Sequence, residues 1–166
     1  MSSTYHTTEG IVLKKTPYGE ADFLVRVLTL DFGKIDLRAR GARKQNSKLN
    51  PHLDFLDIAS LSFVKNGDSI PTIIDSEKNT PNHFWFTSAK NLLEAANMVS
   101  TIDCLIPFEV KDSKVFYLSK NFFEGGECGA ESFLGSLIIH EGYGTVLSLP
   151  SEAQNFIISK WPALKI

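Results

Sequence analysis

Between Lys34 and Lys48 the chain carries six basic side chains, Lys34, Arg38, Arg40, Arg43, Lys44 and Lys48, against a single acidic one, Asp36. Guanidinium and ammonium groups at that density suit a polyanion, because each supplies fixed positive charge and several N–H donors to phosphate oxygens. Lys34, Asp36, Arg38 and Arg40 alternate with Ile35, Leu37 and Ala39, the period-two pattern that puts the charges on one side of a half-buried strand. Same-side residues on a strand recur at about 6.8 Å, close to the step between successive backbone phosphates of a single nucleic-acid strand. Arg26, in the preceding apolar run, joins this set. The competing reading is a solvated sheet face followed by a polar loop. Tyr18, Phe23, Phe32 and Phe55 are within reach in sequence, but aromatic residues at such positions mostly fill cores, so none is assigned to base stacking.

No enzyme signature accompanies this cluster. His140-Glu141 begins like a zinc-protease helix, yet the position four residues after the histidine is Gly144, so the second ligand of H-E-x-x-H is missing. Gly125-Gly126-Glu127-Cys128-Gly129 resembles a phosphate loop only in its glycines and lacks the Lys-Ser/Thr pair; it reads as a turn between helices. Cys104 and Cys128, with His6, His52, His83 and His140, show no metal-ligand spacing, and each cysteine is expected to be a small buried apolar group. The expectation is a non-enzymatic protein with no metal and no cofactor.

The elements that position the basic cluster follow from the rest of the chain. At 166 residues, 43% hydrophobic and 22% charged, it has an ordinary globular composition with room for one domain or two small ones. Net charge is −2, but residues 1–50 hold nine basic against five acidic groups, so the positive charge is concentrated in the first part of the chain. The N-terminus has no secretory pattern and no stretch is apolar enough to span a bilayer, which fits a reducing cytoplasm. Strands are predicted over 9–16 and 22–30, each ending in turn chemistry (Pro17-Tyr18-Gly19 and Asp31-Phe32-Gly33), then from Lys34, over 55–65 and over 69–76, with Asn66-Gly67 as a hairpin signal. Five short strands with a longer connection between the third and fourth suit a small antiparallel barrel.

Beyond Thr80 the apolar period becomes helical. A long helix is predicted over 82–106, using Phe84, Trp85, Ala89, Leu92, Leu93, Ala96, Met98, Val99 and Ile102 as its apolar positions. A second covers 112–123 from an Asp112 or Ser113 cap. A third starts at Ala130, with Gly142 and Gly144 weakening it, and a short fourth covers 151–160 from a Ser151 cap, stopped by Trp161-Pro162. The fold class is therefore α+β.

Several short motifs occur in order: Glu9-Gly-Ile-Val-Leu13, Tyr18-Gly-Glu-Ala-Asp22, Thr29, Gly33-Lys34, Ala39-Arg-Gly-Ala-Arg-Lys44 and Ser47-Lys48. Together they resemble the N-terminal domain of the bacterial RecO family of recombination mediators. Phe133-Leu-Gly-Ser-Leu-Ile-Ile-His-Glu-Gly-Tyr-Gly144 is a weaker echo of that family's helix ending in a Gly-containing turn. The resemblance implies a five-stranded antiparallel OB-fold barrel over residues 1–79 and a small helical domain over 80–166. It also implies a non-enzymatic protein of DNA repair and recombination that binds single- and double-stranded DNA, anneals strands and helps load the RecA recombinase together with RecR and single-stranded-DNA-binding protein.

Carried onto this chain, the resemblance makes Lys34, Arg40, Arg43, Lys44 and Lys48 the DNA-contact candidates, with Arg26 and Arg38 added from the strand pattern. Gly33 and Gly41 are expected to serve backbone turns, and Glu20 and Asp22 to be structural. Many family members are longer, with a cysteine zinc motif or further helices, so contacts with the two protein partners are not assigned to residues. The alternative reading is an OB-fold interaction adaptor with little or no DNA binding; an enzyme working in a cleft is a third and weaker one. The first two differ in whether Arg38, Arg40, Arg43 and Lys44 present free positive charge or are neutralised by carboxylates from the second half.

Overall fold

The apolar, β-branched runs of the first half form five strands in the computed structural model, which describes residues 3–80, 84–125 and 129–161. They are β1 (Ser3–Tyr18), β2 (Asp22–Thr29), β3 (Gly33–Ala39), β4 (Ile58–Asn66) and β5 (Thr72–Thr80). The strand order β1-β2-β3-β5-β4 closes on itself through β1 and β4. β1 is longer than its sequence signal because its polar start, Ser3–Glu9, pairs with β4 while the apolar part pairs with β2. A break in register between Val12 and Lys14 lets one strand serve both neighbours.

The all-antiparallel expectation is corrected at one junction. β3 and β5 run parallel, with Arg38 opposite Thr72 and the Arg38 amide donating to the Pro71 carbonyl at 2.8 Å. An odd number of strands in a closed ring cannot alternate in direction at every contact, and here the mismatch falls on this short seam. β5 also starts later than expected, after Pro71, which has no N–H to give a ladder.

Inward residues of the barrel form one apolar cluster including Val12, Val25, Val27, Ile35, Leu37, Ala39, Leu61, Phe63 and Ile73. Alternation in β3 holds as read, with Ile35, Leu37 and Ala39 buried. The segment after β3 is a polar loop in sequence, yet Ala42 and Leu53 are buried in this cluster and Leu49 packs against it. Burying such groups fixes a connection that composition alone would leave loose.

The chain forms two compact units, and Phe108–Phe116 belongs with the barrel. This segment docks along the start of β3: Lys34 bridges Phe108, and the Glu109 amide donates to the Lys34 carbonyl at 2.9 Å. Gly33 is the contact that requires glycine, since its φ is +68° and a Cβ there would fall on the Val110 carbonyl.

The helices are α1 (Ala89–Leu105), α2 (Ser113–Phe123), α3 (Ala130–His140) and α4 (Ser151–Lys160). α1 begins later than the apolar period suggested, because Phe84–Phe86 forms a separate 3-10 turn and Ser88 caps the helix by accepting from the Asn91 amide at 3.1 Å. Its buried positions are Ala95, Met98, Val99, Thr101 and Ile102, while Leu93 is 62% exposed. Asp112 caps α2 by accepting from the Lys114 and Val115 amides. α3 ends before Gly142, whose φ is +85°. α4 has Pro150, not Ser151, at its cap position, so Ser151 is already the first helical residue. In the helical unit, Trp85 packs on Phe122 and donates its indole N–H to the Phe123 carbonyl at 2.8 Å. Among the described residues no helix is long and apolar enough to cross a membrane. Cys104 is exposed, contrary to its expected burial, and Cys128 and His83 lie outside the described residues.

Candidate nucleic-acid interface

The basic cluster divides into side chains committed to partners on the barrel and side chains left to solvent. Arg26 makes a two-pronged pair with Asp36 across the β2–β3 ladder, Nε to Oδ1 at 2.8 Å and Nη2 to Oδ2 at 3.0 Å. This fork geometry makes a good pair and commits one edge of the guanidinium to Asp36. Lys34 is corrected outright as a contact candidate: it is buried, and its Nζ sits 4.4 Å from the centre of the Phe108 ring. The same ring lies 4.6 Å from the Arg26 guanidinium carbon. Phe108 is thus shared by two cations that the β-strand pattern had counted as open. Phe108 lies more than seventy residues further along the chain, so strand alternation could not reveal it.

Arg38 is intermediate. Its guanidinium is bound to Asp22 at 2.6 Å, yet its side chain is 41% exposed. Asp22 also accepts the Gly41 amide at 2.7 Å. That amide bond first, and the Arg38 bond second, hold the Asp22 carboxyl below its ordinary range. Asp22 therefore ties the end of β3 to the start of β2, the structural role expected of it, and Gly41 takes the positive φ of a turn, as does Gly33.

Arg40, Arg43, Lys44 and Lys48 are exposed, and among the described residues none has a carboxylate within ion-pair distance. Arg43 is held in place without losing its charge: its amide donates to the Ala21 carbonyl and its Nη1 to the Gly19 carbonyl, both at 2.9 Å. These bonds and the Gly41–Asp22 bond clamp the loop after β3 to the β1–β2 turn, residues 19–21. The carboxylates nearest this cluster, Asp22 and Asp36, come from the first half of the chain; they pair with Arg38 and Arg26, and Asp22 also feels the charge of Arg40 without pairing with it.

Two members of this surface were not assigned from sequence. Lys14 is exposed and stands opposite Arg26 in the β1–β2 ladder; its signal was the same outward alternation, interrupted by the irregularity after Val12. Tyr18, at the end of β1, is 42% exposed, and the Arg38 guanidinium carbon lies 5.6 Å from its ring centre. Phe23 and Phe32 pack against the core cluster. Lys15 is spoken for by Asp54 at 2.7 Å and Asn50 at 2.8 Å.

The arrangement can bind phosphate groups through exposed donors at Arg40, Arg43 and Lys44, of which Arg43 is held in place by the Gly19 carbonyl. Residues 1–79 match the family described as recombination protein O, N terminal. The chain is 33% identical over 117 residues to DNA repair protein RecO of Thermodesulfovibrio yellowstonii, an alignment covering 70% of this chain and 47% of that one. It is 43% identical over 77 residues to the protein of the same name from Gloeothece citriformis, covering 46% and 26%. It is 32% identical over 110 residues to that of Halalkalibacterium halodurans, covering 66% and 41%. The matched segment spans less than half the length of each of these relatives.

Proposed function

Because this chain belongs, through residues 1–79, to the recombination protein O family, we propose that it is a non-enzymatic mediator of DNA repair and recombination that binds single- and double-stranded DNA, promotes strand annealing and assists recombinase loading. The barrel over residues 1–79, with Phe108–Phe116 packed on it, serves as the nucleic-acid-binding domain, and the rest of 80–166 as the helical domain. The DNA face is built from Arg40, Arg43, Lys44 and Lys48, with Lys14 and the exposed part of Arg38 beside them. RecR and single-stranded-DNA-binding protein are its protein partners, and the cytoplasm its location.

The observation that carries this reading is the group of exposed cations Arg40, Arg43 and Lys44 directly after β3, none with an ion-pair partner among the described residues and with Arg43 anchored to the Gly19 and Ala21 carbonyls. Exposed cations without ion-pair partners are what a phosphate-binding face requires, and an adaptor that had lost DNA does not need them. Phosphate contacts of this type give affinity with little sequence preference. The test is fluorescence anisotropy on labelled single-stranded and duplex DNA across a salt series. Engagement of about four phosphates on a single strand gives a slope of log K against log salt near about −3. A salt-independent affinity, or none at low salt, overturns the reading in favour of the adaptor.

A further inference from the structure

We infer that Tyr18 is a stacking platform for an unpaired nucleobase, a contact that adds to the affinity for single-stranded DNA and not to that for duplex; the inference rests on the DNA-binding reading above. Tyr18 is the last residue of β1, and 42% of it is exposed. Its position is fixed from several directions. Tyr18 is paired with Asp22 across the hairpin, Asp22 holds Arg38, and Arg38 lies over the tyrosine ring. The next residue, Gly19, gives its carbonyl to Arg43.

An exposed aromatic ring held in place among cations meets the two requirements of single-strand binding, a π face for the base and fixed charge for the flanking phosphates. The neighbouring cations make a neutral apolar partner a poor fit. In a duplex the base faces are already stacked on each other and cannot reach the ring without being unstacked, so a contact of this kind discriminates against paired DNA. Tyr18 acts on bases, and Arg40, Arg43 and Lys44 on phosphates.

The experiment compares the whole chain and its Tyr18→Ala and Tyr18→Phe variants by fluorescence anisotropy at fixed salt. The probes are a labelled oligothymidine, a labelled strand of the same length built of abasic sites, and a duplex of that length. Tyr18→Ala should lose about tenfold in affinity for oligothymidine and Tyr18→Phe little, with duplex affinity changed by less than about twofold. The salt slope of Tyr18→Ala should equal that of the unsubstituted chain, because no phosphate contact is removed. On the abasic strand the unsubstituted chain and Tyr18→Ala should bind alike. Equal binding of oligothymidine and the abasic strand by the unsubstituted chain overturns the inference without reference to any variant. An equal loss on single-stranded and duplex DNA by Tyr18→Ala also overturns it, since the ring would then only position Arg38. Failure of the unsubstituted chain to bind any of the three probes at low salt refutes the DNA-binding reading itself, whereas salt-dependent binding that ignores Tyr18 refutes the stacking role alone.

Discussion

Lys34 lies beneath Phe108, its ammonium 4.4 Å from the ring centre and its side chain buried, although it opens the most basic stretch of the chain. The pairing joins β3 to a segment that follows α1, and the backbone seals it through the Glu109 amide and the Lys34 carbonyl. Charge in this region therefore serves two separate purposes, holding the barrel's outer layer and facing solvent.

Lys34→Ala is expected to weaken the fold rather than DNA binding. Loss of a desolvated cation–π contact and of the packed side-chain stem should cost about 1–2 kcal/mol in urea unfolding. The salt slope for DNA should remain that of the unsubstituted chain. A slope reduced by one phosphate contact would restore Lys34 to the interface.

Arg40, Arg43 and Lys44 replaced together by alanine should give the opposite result. Arg40 and Lys44 are exposed, so stability should change by no more than about 0.5 kcal/mol at each, while Arg43→Ala also removes the bond to the Gly19 carbonyl and should cost about 1 kcal/mol, leaving the chain folded. Affinity for single-stranded DNA and the rate of strand annealing should both fall, and the salt slope should lose about 2 in magnitude. Unchanged annealing by the folded triple variant would place DNA elsewhere on the molecule.

Asp22→Asn should loosen the clamp between the β1–β2 turn and the loop after β3. In the folded state the Gly41 amide and Arg38 keep the carboxyl of Asp22 below its ordinary value of 3.8. The unfolded chain therefore takes up the proton first as pH drops. This contribution to stability is complete above about pH 3.8 and is lost as pH falls through the lower, folded value. Urea titrations should accordingly show the gap between the two proteins constant near neutrality and shrinking below that pH. Asp31, lowered by its bond from Thr8 and then by Lys111, adds a parallel loss in both proteins.

Gly33→Ala should destabilise by at least about 1 kcal/mol, because it adds a Cβ to a residue at φ +68° and drives that carbon against the Val110 carbonyl. The measurement is the thermal midpoint of the whole chain. Gly67→Ala, also at positive φ but with open space around it, separates the two causes: it should show the backbone strain without the clash and fall less.

Period-two alternation and turn residues determined the meander of the first three strands, since Ile35, Leu37 and Ala39 face the core for the local reason that successive side chains on a strand point opposite ways. The Asp112 cap and the Gly142 stop were legible because each acts within one turn of the chain, although Ser151, read as a cap, is the first residue inside α4. The parallel seam between β3 and β5 was not, because direction at a closing junction depends on the number of strands in the ring and not on any one of them. The same held for the site. Sequence marked where cations are concentrated, but it took the tertiary structure to decide that Arg26 goes to Asp36, Arg38 in part to Asp22 and Lys34 to Phe108, while Arg40, Arg43 and Lys44 keep their charge for solvent. A side chain's charge is written in the chain, whereas its availability depends on which partners the fold brings within a few ångströms, and those partners come from other strands and from a segment beyond the first helix.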